Sequence, residues 1–135
     1  MGVIFDSSVL VYLERNVQQV EKVIAGRGNE PFGISAITVS ELLHGVHRAD
    51  SEKRRLKREA FVERIIELFP IYPFDLAASR IYARVWATLA RKGVTIGSHG
   101  LMIGATCISL GFSVVTLDVR DFEKIPGIKI EKITL

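Results

Sequence analysis

The run Val3-Ile4-Phe5-Asp6-Ser7-Ser8-Val9-Leu10-Val11 sets the terms on which the other segments are read. Three apolar residues with a β-branched pair suit a strand buried on both faces. A carboxylate follows where that strand leaves the core. Ser7 or Ser8 is expected to cap a short helix over Val9 to Glu14 by accepting a bond from a free backbone N–H. In open α/β sheets, ligands gather just past the carboxyl ends of the strands, so Asp6 stands where chemistry is done. A capping aspartate is the plainer reading of the same residue.

Working outward, Val17, Val20, Val23 and Ile24 show helical spacing that ends at Gly26 and Gly28. Pro31 to Ser35 reads as a second strand, followed by a helix from Ala36 through Leu43 with Val46 on its apolar face. Asp50 or Ser51 opens the next helix, with Ala60, Phe61, Ile65, Ile66, Leu68 and Phe69 facing inward. Pro70-Ile71-Tyr72-Pro73 is a strand with prolines at its ends, where a missing donor does least harm. Asp75 caps a long helix with Leu76, Ile81, Val85, Trp86 and Leu89 as its apolar face, stopped at Gly93. A helix from about His99 to Leu110 stops at Gly111, Phe112 to Leu117 is a strand, and Ile128 to Ile130 makes a last edge strand.

This alternation predicts an α/β fold with helices on both faces of a mostly parallel sheet. Every strand then ends at one rim. Asp6 and Asp118 sit at such ends, and Glu41 lies on the second turn of the helix after strand two. Carboxylates drawn into one cleft repel unless a cation neutralises them. Oxygen ligands without a His or Cys cluster select a hard divalent ion, Mg²⁺ or Mn²⁺. Such an ion polarises phosphates and activates water.

The 135 residues are expected to form one domain over 1–135, with 48% hydrophobic and 24% charged content excluding disorder as the main state. No apolar run spans a bilayer and no signal peptide is evident, which excludes a membrane role. A single cysteine, Cys107, excludes an internal disulfide and points to the cytoplasm. The net charge of +3 is compatible with a nucleic-acid partner without requiring one.

Four motifs in order carry a specific resemblance: Asp6-Ser7-Ser8; the Ser-x-x-Thr-x-x-Glu-Leu run from Ser35 to Leu42; Ile96-Gly97-Ser98-His99-Gly100-Leu101-Met102-Ile103-Gly104-Ala105-Thr106; and Val115 to Phe122 followed by Ile125-Pro126-Gly127. The chain resembles PIN-domain ribonucleases, and within them the VapC toxins of VapBC toxin–antitoxin pairs. The resemblance implies a three-layer α/β/α sandwich with a central sheet of four or five strands. It also implies a Mg²⁺- or Mn²⁺-dependent endoribonuclease that cuts structured RNA (tRNA or rRNA) with metal-activated water. A VapB-like antitoxin and a second copy of the chain are the implied protein partners.

The family's acidic set maps onto Asp6, Glu41 and the aspartates after the last long strand, with Asp121 taken as nearer the metal and Asp118 close behind. Ser8 and Thr116 resemble hydroxyl residues that orient the first carboxylate or a water of the metal, and Thr38 belongs to the same supporting set. The remaining position departs from the pattern: Gly100 stands where the family has aspartate. Gly97, Gly100 and Gly104 could instead let the helix lie tight against the sheet. That account suits Gly100 least, since glycine inside a helix costs roughly 1 kcal/mol relative to alanine. Gly100 then replaces a metal-ligating acid, by engineering or by selection against a toxic enzyme, and metal binding and cleavage are expected to be weak.

Two other readings compete. One is a disabled PIN fold that still engages antitoxin and, through it, operator DNA. The other is a phospho-acceptor domain, which wants a second acid beside Asp6 that Ser7-Ser8 does not supply. His44 and His47, one turn apart near Glu41, suggest a mixed His/carboxylate site, although ordinary helix positions explain them better. The basic run Lys53 to Arg58 reads as a solvated face that could also attract RNA phosphates.

Overall fold

The computed structural model describes residues 1–135. In chain order the elements are β1 (Val3–Phe5), α1 (Ser7–Arg15), a 3-10 turn (Val17–Gln19), α2 (Val20–Ala25), β2 (Phe32–Ser35), α3 (Ala36–His47), α4 (Glu52–Leu68), β3 (Ile71–Tyr72), α5 (Leu76–Arg91), α6 (Ser98–Leu110), β4 (Ser113–Thr116), a second 3-10 turn (Phe122–Lys124) and β5 (Lys129–Lys132). The expected mostly parallel sheet is a five-stranded one ordered β3-β2-β1-β4-β5, and every strand pair is parallel. No helix is long and apolar enough to cross a membrane.

Strand alternation divides the interior into two cores. Val3, Phe5, Ile34 and Val115 point to one face, where they meet Val9, Leu10 and Leu13 of α1, Leu42 and Val46 of α3, and Phe61, Val62 and Ile65 of α4. Ile4 and Val114 point to the other, against Val85 and Leu89 of α5 and Leu101, Ile103 and Cys107 of α6. These are the layers of an α/β/α sandwich. On the first face, Phe5, Phe32 and Phe69 stack edge to face, with centroids 5.7–6.5 Å apart.

Several sequence expectations need correction. The cap of α1 is Asp6, not Ser7 or Ser8: its extended backbone (φ −78°, ψ 174°) lets Oδ1 accept from the Ser8 and Val9 amides. Helix α1 accordingly begins at Ser7, two residues earlier than expected. Ser51 rather than Asp50 caps α4, and Asp75 caps α5 as expected. Ala60 is exposed while Val62 is buried, because α4 turns Phe61, Val62 and Ile65 toward the sheet. Leu76 and Trp86 were expected to face inward, yet they are 66% and 58% exposed. The buried stripe of α5 runs instead through Ala78, Val85 and Leu89. The last strand is shifted to Lys129–Lys132 but is an edge strand, as expected.

The glycines of α6 separate. A side chain at Gly104 would meet Ile125 Cδ1 at 2.8 Å and Ile128 Cδ1 at 3.2 Å, so this position allows a close approach. The approach is to the segment after β4, not to the sheet. A Cβ at Gly97 or Gly100 meets nothing within 4 Å, so neither is kept small by packing.

Candidate active site

Since all strands run in parallel, the chain leaves β1, β2 and β4 at one edge of the sheet. There Asp6, Ser7, Ser8, Glu41, Gly100, Ile103, Asp118, Asp121 and Phe122 line one cleft of about 250 Å³. Every acid expected at the site therefore borders the same space, and so does the glycine at the departing position.

Asp6 is the most constrained of them. Its Oδ1 accepts from Ser8 Oγ at 2.5 Å as well as from the two cap amides, and Thr116 Oγ1 donates to Oδ2 at 2.9 Å. Ser8 Oγ in turn accepts from the Leu117 amide at 3.1 Å, tying the start of α1 to the end of β4. Burial dominates the electrostatics and raises the Asp6 pKa, while these hydrogen bonds pull the other way without winning.

Glu41 is held by two groups. Ser7 Oγ donates to Oε1 at 2.5 Å, and His99 Nδ1 lies 3.3 Å from Oε2. Thr38 Oγ1 is 3.2 Å from Ser7 Oγ, so its support of Glu41 passes through Ser7. Ser7's grip was not anticipated, and His99 was expected only as a partly exposed neighbour of the acidic rim. Ser7 was visible beside Asp6 but was read as a cap, and the Glu41–His99 contact joins residues 58 apart in sequence. His44 and His47 are exposed and form no such contact.

Asp118 and Asp121 are exposed and lean on cations of their own segment. The Arg120 guanidinium donates from Nε and Nη2 to both Asp118 oxygens, the shortest at 2.7 Å. This pairing holds the Asp118 carboxyl down at about 2. Lys124 Nζ lies 3.3 Å from Asp121 Oδ1.

The donors suit a hard divalent cation in kind, since carboxylate and hydroxyl oxygens predominate. Buried Asp6, with its charge disfavoured, is where a cation would be most welcome. In number they fall short: no three of the acids and histidines are grouped so as to hold one ion. The open volume beside Gly100 lies where one more carboxylate would reach the cleft.

A family model described as PIN domain matches residues 3–128. Ribonuclease VapC1 of Rickettsia felis is 38% identical over 130 residues, covering 96% of this chain and 95% of that protein. The tRNA(fMet)-specific endonuclease VapC of Salmonella typhimurium is 39% identical over 98 residues, covering 73% and 72%. Among solved structures, DNA-bound VapBC from Salmonella typhimurium superposes with a TM-score of 0.86 at 30% identity, covering 98% of each chain. VapBC2 from Rickettsia felis, bound to a fragment of promoter DNA, matches the fold with a TM-score of 0.89 at 20% identity, covering 99% of this chain and 100% of that one.

Proposed function

The chain belongs to the PIN-domain family, among the VapC ribonucleases, and from that premise we propose a divalent-cation-dependent endoribonuclease toxin acting on structured RNA, tRNA or rRNA, through Asp6, Glu41, Asp118 and Asp121. One observation carries the reading: acids delivered by separate segments, after β1, on α3 and after β4, border a single cleft. When bound, Mg²⁺ or Mn²⁺ would polarise the scissile phosphate and acidify a water. The chain's own residues set the geometry. Ser8 and Thr116 fix both oxygens of Asp6, while Ser7 and His99 fix those of Glu41. The Arg120–Asp118 and Lys124–Asp121 pairs are exposed and yield at small cost to a stronger partner.

Gly100 is read as the place of a missing acid, so the chain as it stands holds a cation weakly and cleaves weakly. Its open surroundings support this. The test is Mg²⁺-dependent cleavage of purified tRNA and rRNA by Gly100→Asp beside the parent, with EDTA as control. Cleavage that appears in the variant supports the reading, and no gain in activity rejects it.

The protein partner we propose is a small VapB-like antitoxin, as in the VapBC complexes that share this fold. Exposed Trp86 and Leu76 support self-association of two copies through α5. The same open position at Gly100 favours one second reading, a disabled PIN fold that engages antitoxin and, through it, operator DNA. Antitoxin binding with no cleavage even after Gly100→Asp selects that alternative.

A further inference from the structure

A second and larger concavity, of about 670 Å³, lies between the C-terminal end of α1, with the 3-10 turn after it, and the stretch of α4 from Arg54 to Arg64. Its walls carry Arg15, Arg54, Lys57, Arg58 and Arg64 against one acid, Glu14, over a partly apolar floor that includes Phe61. Four of the five cations are arginines, whose planar forks match phosphate oxygens two at a time.

The pairings within this groove are of two kinds. Arg58 is built in: its Nε donates to Glu14 Oε2 and its Nη1 to the Gly45 carbonyl, both at 3.1 Å. Arg54 and Arg64 are paired only at the surface, to Asp50 and Glu21, with side chains 71% and 48% exposed. Exposed pairs of this sort are worth about 0–1 kcal/mol and are readily exchanged for another anion. Arg15 and Lys57 are exposed and have no acid within ion-pair distance.

The groove and the cleft are separate hollows at the two ends of α1. Helix α1 begins at the Asp6 cap and ends at Arg15, and nine residues rise about 12 Å. Gly45, which Arg58 grips, is one helical turn beyond Glu41 on α3. The cleft itself presents carboxylates, like in sign to a phosphodiester, so attraction for a polyanion has to come from elsewhere on the surface. The groove at the far end of α1 is where the structure concentrates it.

We propose that this groove docks the phosphodiester backbone of RNA, holding a strand along α1 with another of its phosphates at the acid cleft. The proposal rests on the ribonuclease reading above. Such contacts are blind to sequence and sensitive to salt.

The experiment uses the full chain without added divalent cation, so that binding is read without turnover. A fluorescein-labelled 20-nucleotide single-stranded RNA is titrated by anisotropy over a range of KCl concentrations. Arg15→Glu with Lys57→Glu is compared with Arg91→Glu with Lys92→Glu, the same charge change at the exposed end of α5 on the opposite layer. The groove pair should weaken binding at least tenfold and reduce the salt slope by about 1.4, or ~0.7 for each lost phosphate contact. The α5 pair should change affinity less than twofold. Equal losses in both pairs, or none in either, overturn the proposal. Intact RNA binding with lost antitoxin binding assigns the groove to a protein and overturns it too. Cleavage by Gly100→Asp is scored separately: activity there with an unaffected groove pair sinks only this proposal, and the converse sinks only the ribonuclease reading.

Discussion

Gly100→Asp tests the cleft through stability as well as through activity. Position 100 is in the first turn of α6, after the Gly97 cap, and a Cβ there meets nothing within 4 Å. Steric cost is therefore absent. Replacing glycine gains about 0.3 kcal/mol of helix propensity, and an acid in the first turn gains about 0.5 kcal/mol from the helix dipole. Against this stands repulsion from the other carboxylates lining the cleft. A pair of like charges ~7 Å apart repels by about 2 kcal/mol at an effective dielectric of ~20. Asp118 and Asp121 are already countered by Arg120 and Lys124, so buried Asp6 is the chief opponent.

Repulsion wins, and in EDTA the variant should be less stable than the parent by about 1 kcal/mol, a fall in Tm of about 4 °C for a domain of this size. A cation at a hundred times its Kd then restores about 2.7 kcal/mol. Melting by circular dichroism in EDTA and in 10 mM MgCl₂ or 1 mM MnCl₂ reads both arms. The variant should rise by about 10 °C between the two conditions, and the parent by less than about 2 °C. A variant as stable as the parent in EDTA and indifferent to either cation would show that residue 100 does not face the acids.

Three further outcomes are expected. Asp6→Asn keeps the α1 cap, since asparagine caps as well as aspartate, and removes a carboxylate whose folded pKa is raised by burial. A raised carboxylate loses stability as pH climbs from its unfolded value of 3.8 through its folded one. The variant should therefore melt above the parent at pH 7, with the gap closing toward pH 3. The Asp118–Arg120 pair, whose stability is lost as pH falls toward about 2, is common to both proteins and cancels in the difference. A gap that widens on acidification contradicts the assignment. Gly33→Ala puts a Cβ 2.5 Å from the Pro70 carbonyl oxygen, a backbone atom that cannot swing aside. The cost should reach the upper end of ~1–3 kcal/mol, and an unchanged Tm would mean that β2 and β3 separate freely. The Cys107 thiol, pushed up to about 12 by burial and by the charge of Asp6, should stay unreactive to Ellman's reagent until the chain is unfolded. Rapid labelling of the native protein refutes its burial.

The fold was largely legible because its signals are local. Apolar runs of strand length, each followed by a polar cap and a helical period, specify a parallel sheet with little ambiguity, and Gly93 and Gly111 at φ +69° end α5 and α6 as their positions suggested. Asp6 and Asp118 could be placed at one edge from strand direction, and Glu41 from the helix that follows β2, while Asp121 was placed there by the family resemblance. The partners of Glu41 were not legible, whereas the family resemblance had already pointed to Ser8 and Thr116 on Asp6. Ser7 on Glu41 and His99 on Glu41 join residues far apart in sequence, and no periodicity encodes such pairs. The inward faces of α4 and α5 were misjudged for a related reason. Hydrophobicity marks Leu76 and Trp86 as core, but only the position of the neighbouring layer decides which side of a helix is covered.

The corners of the cleft are unequal in what they owe to the fold. The Asp6 side chain begins a helix and clasps β4 through Thr116, so a replacement that can neither cap nor bond there disturbs the scaffold itself. Residue 100 holds nothing else together. On the reading proposed above, that one corner can vary while the shape, the sheet and the rest of the surface are kept. A single codon change is enough to place an acid in the space beside α6.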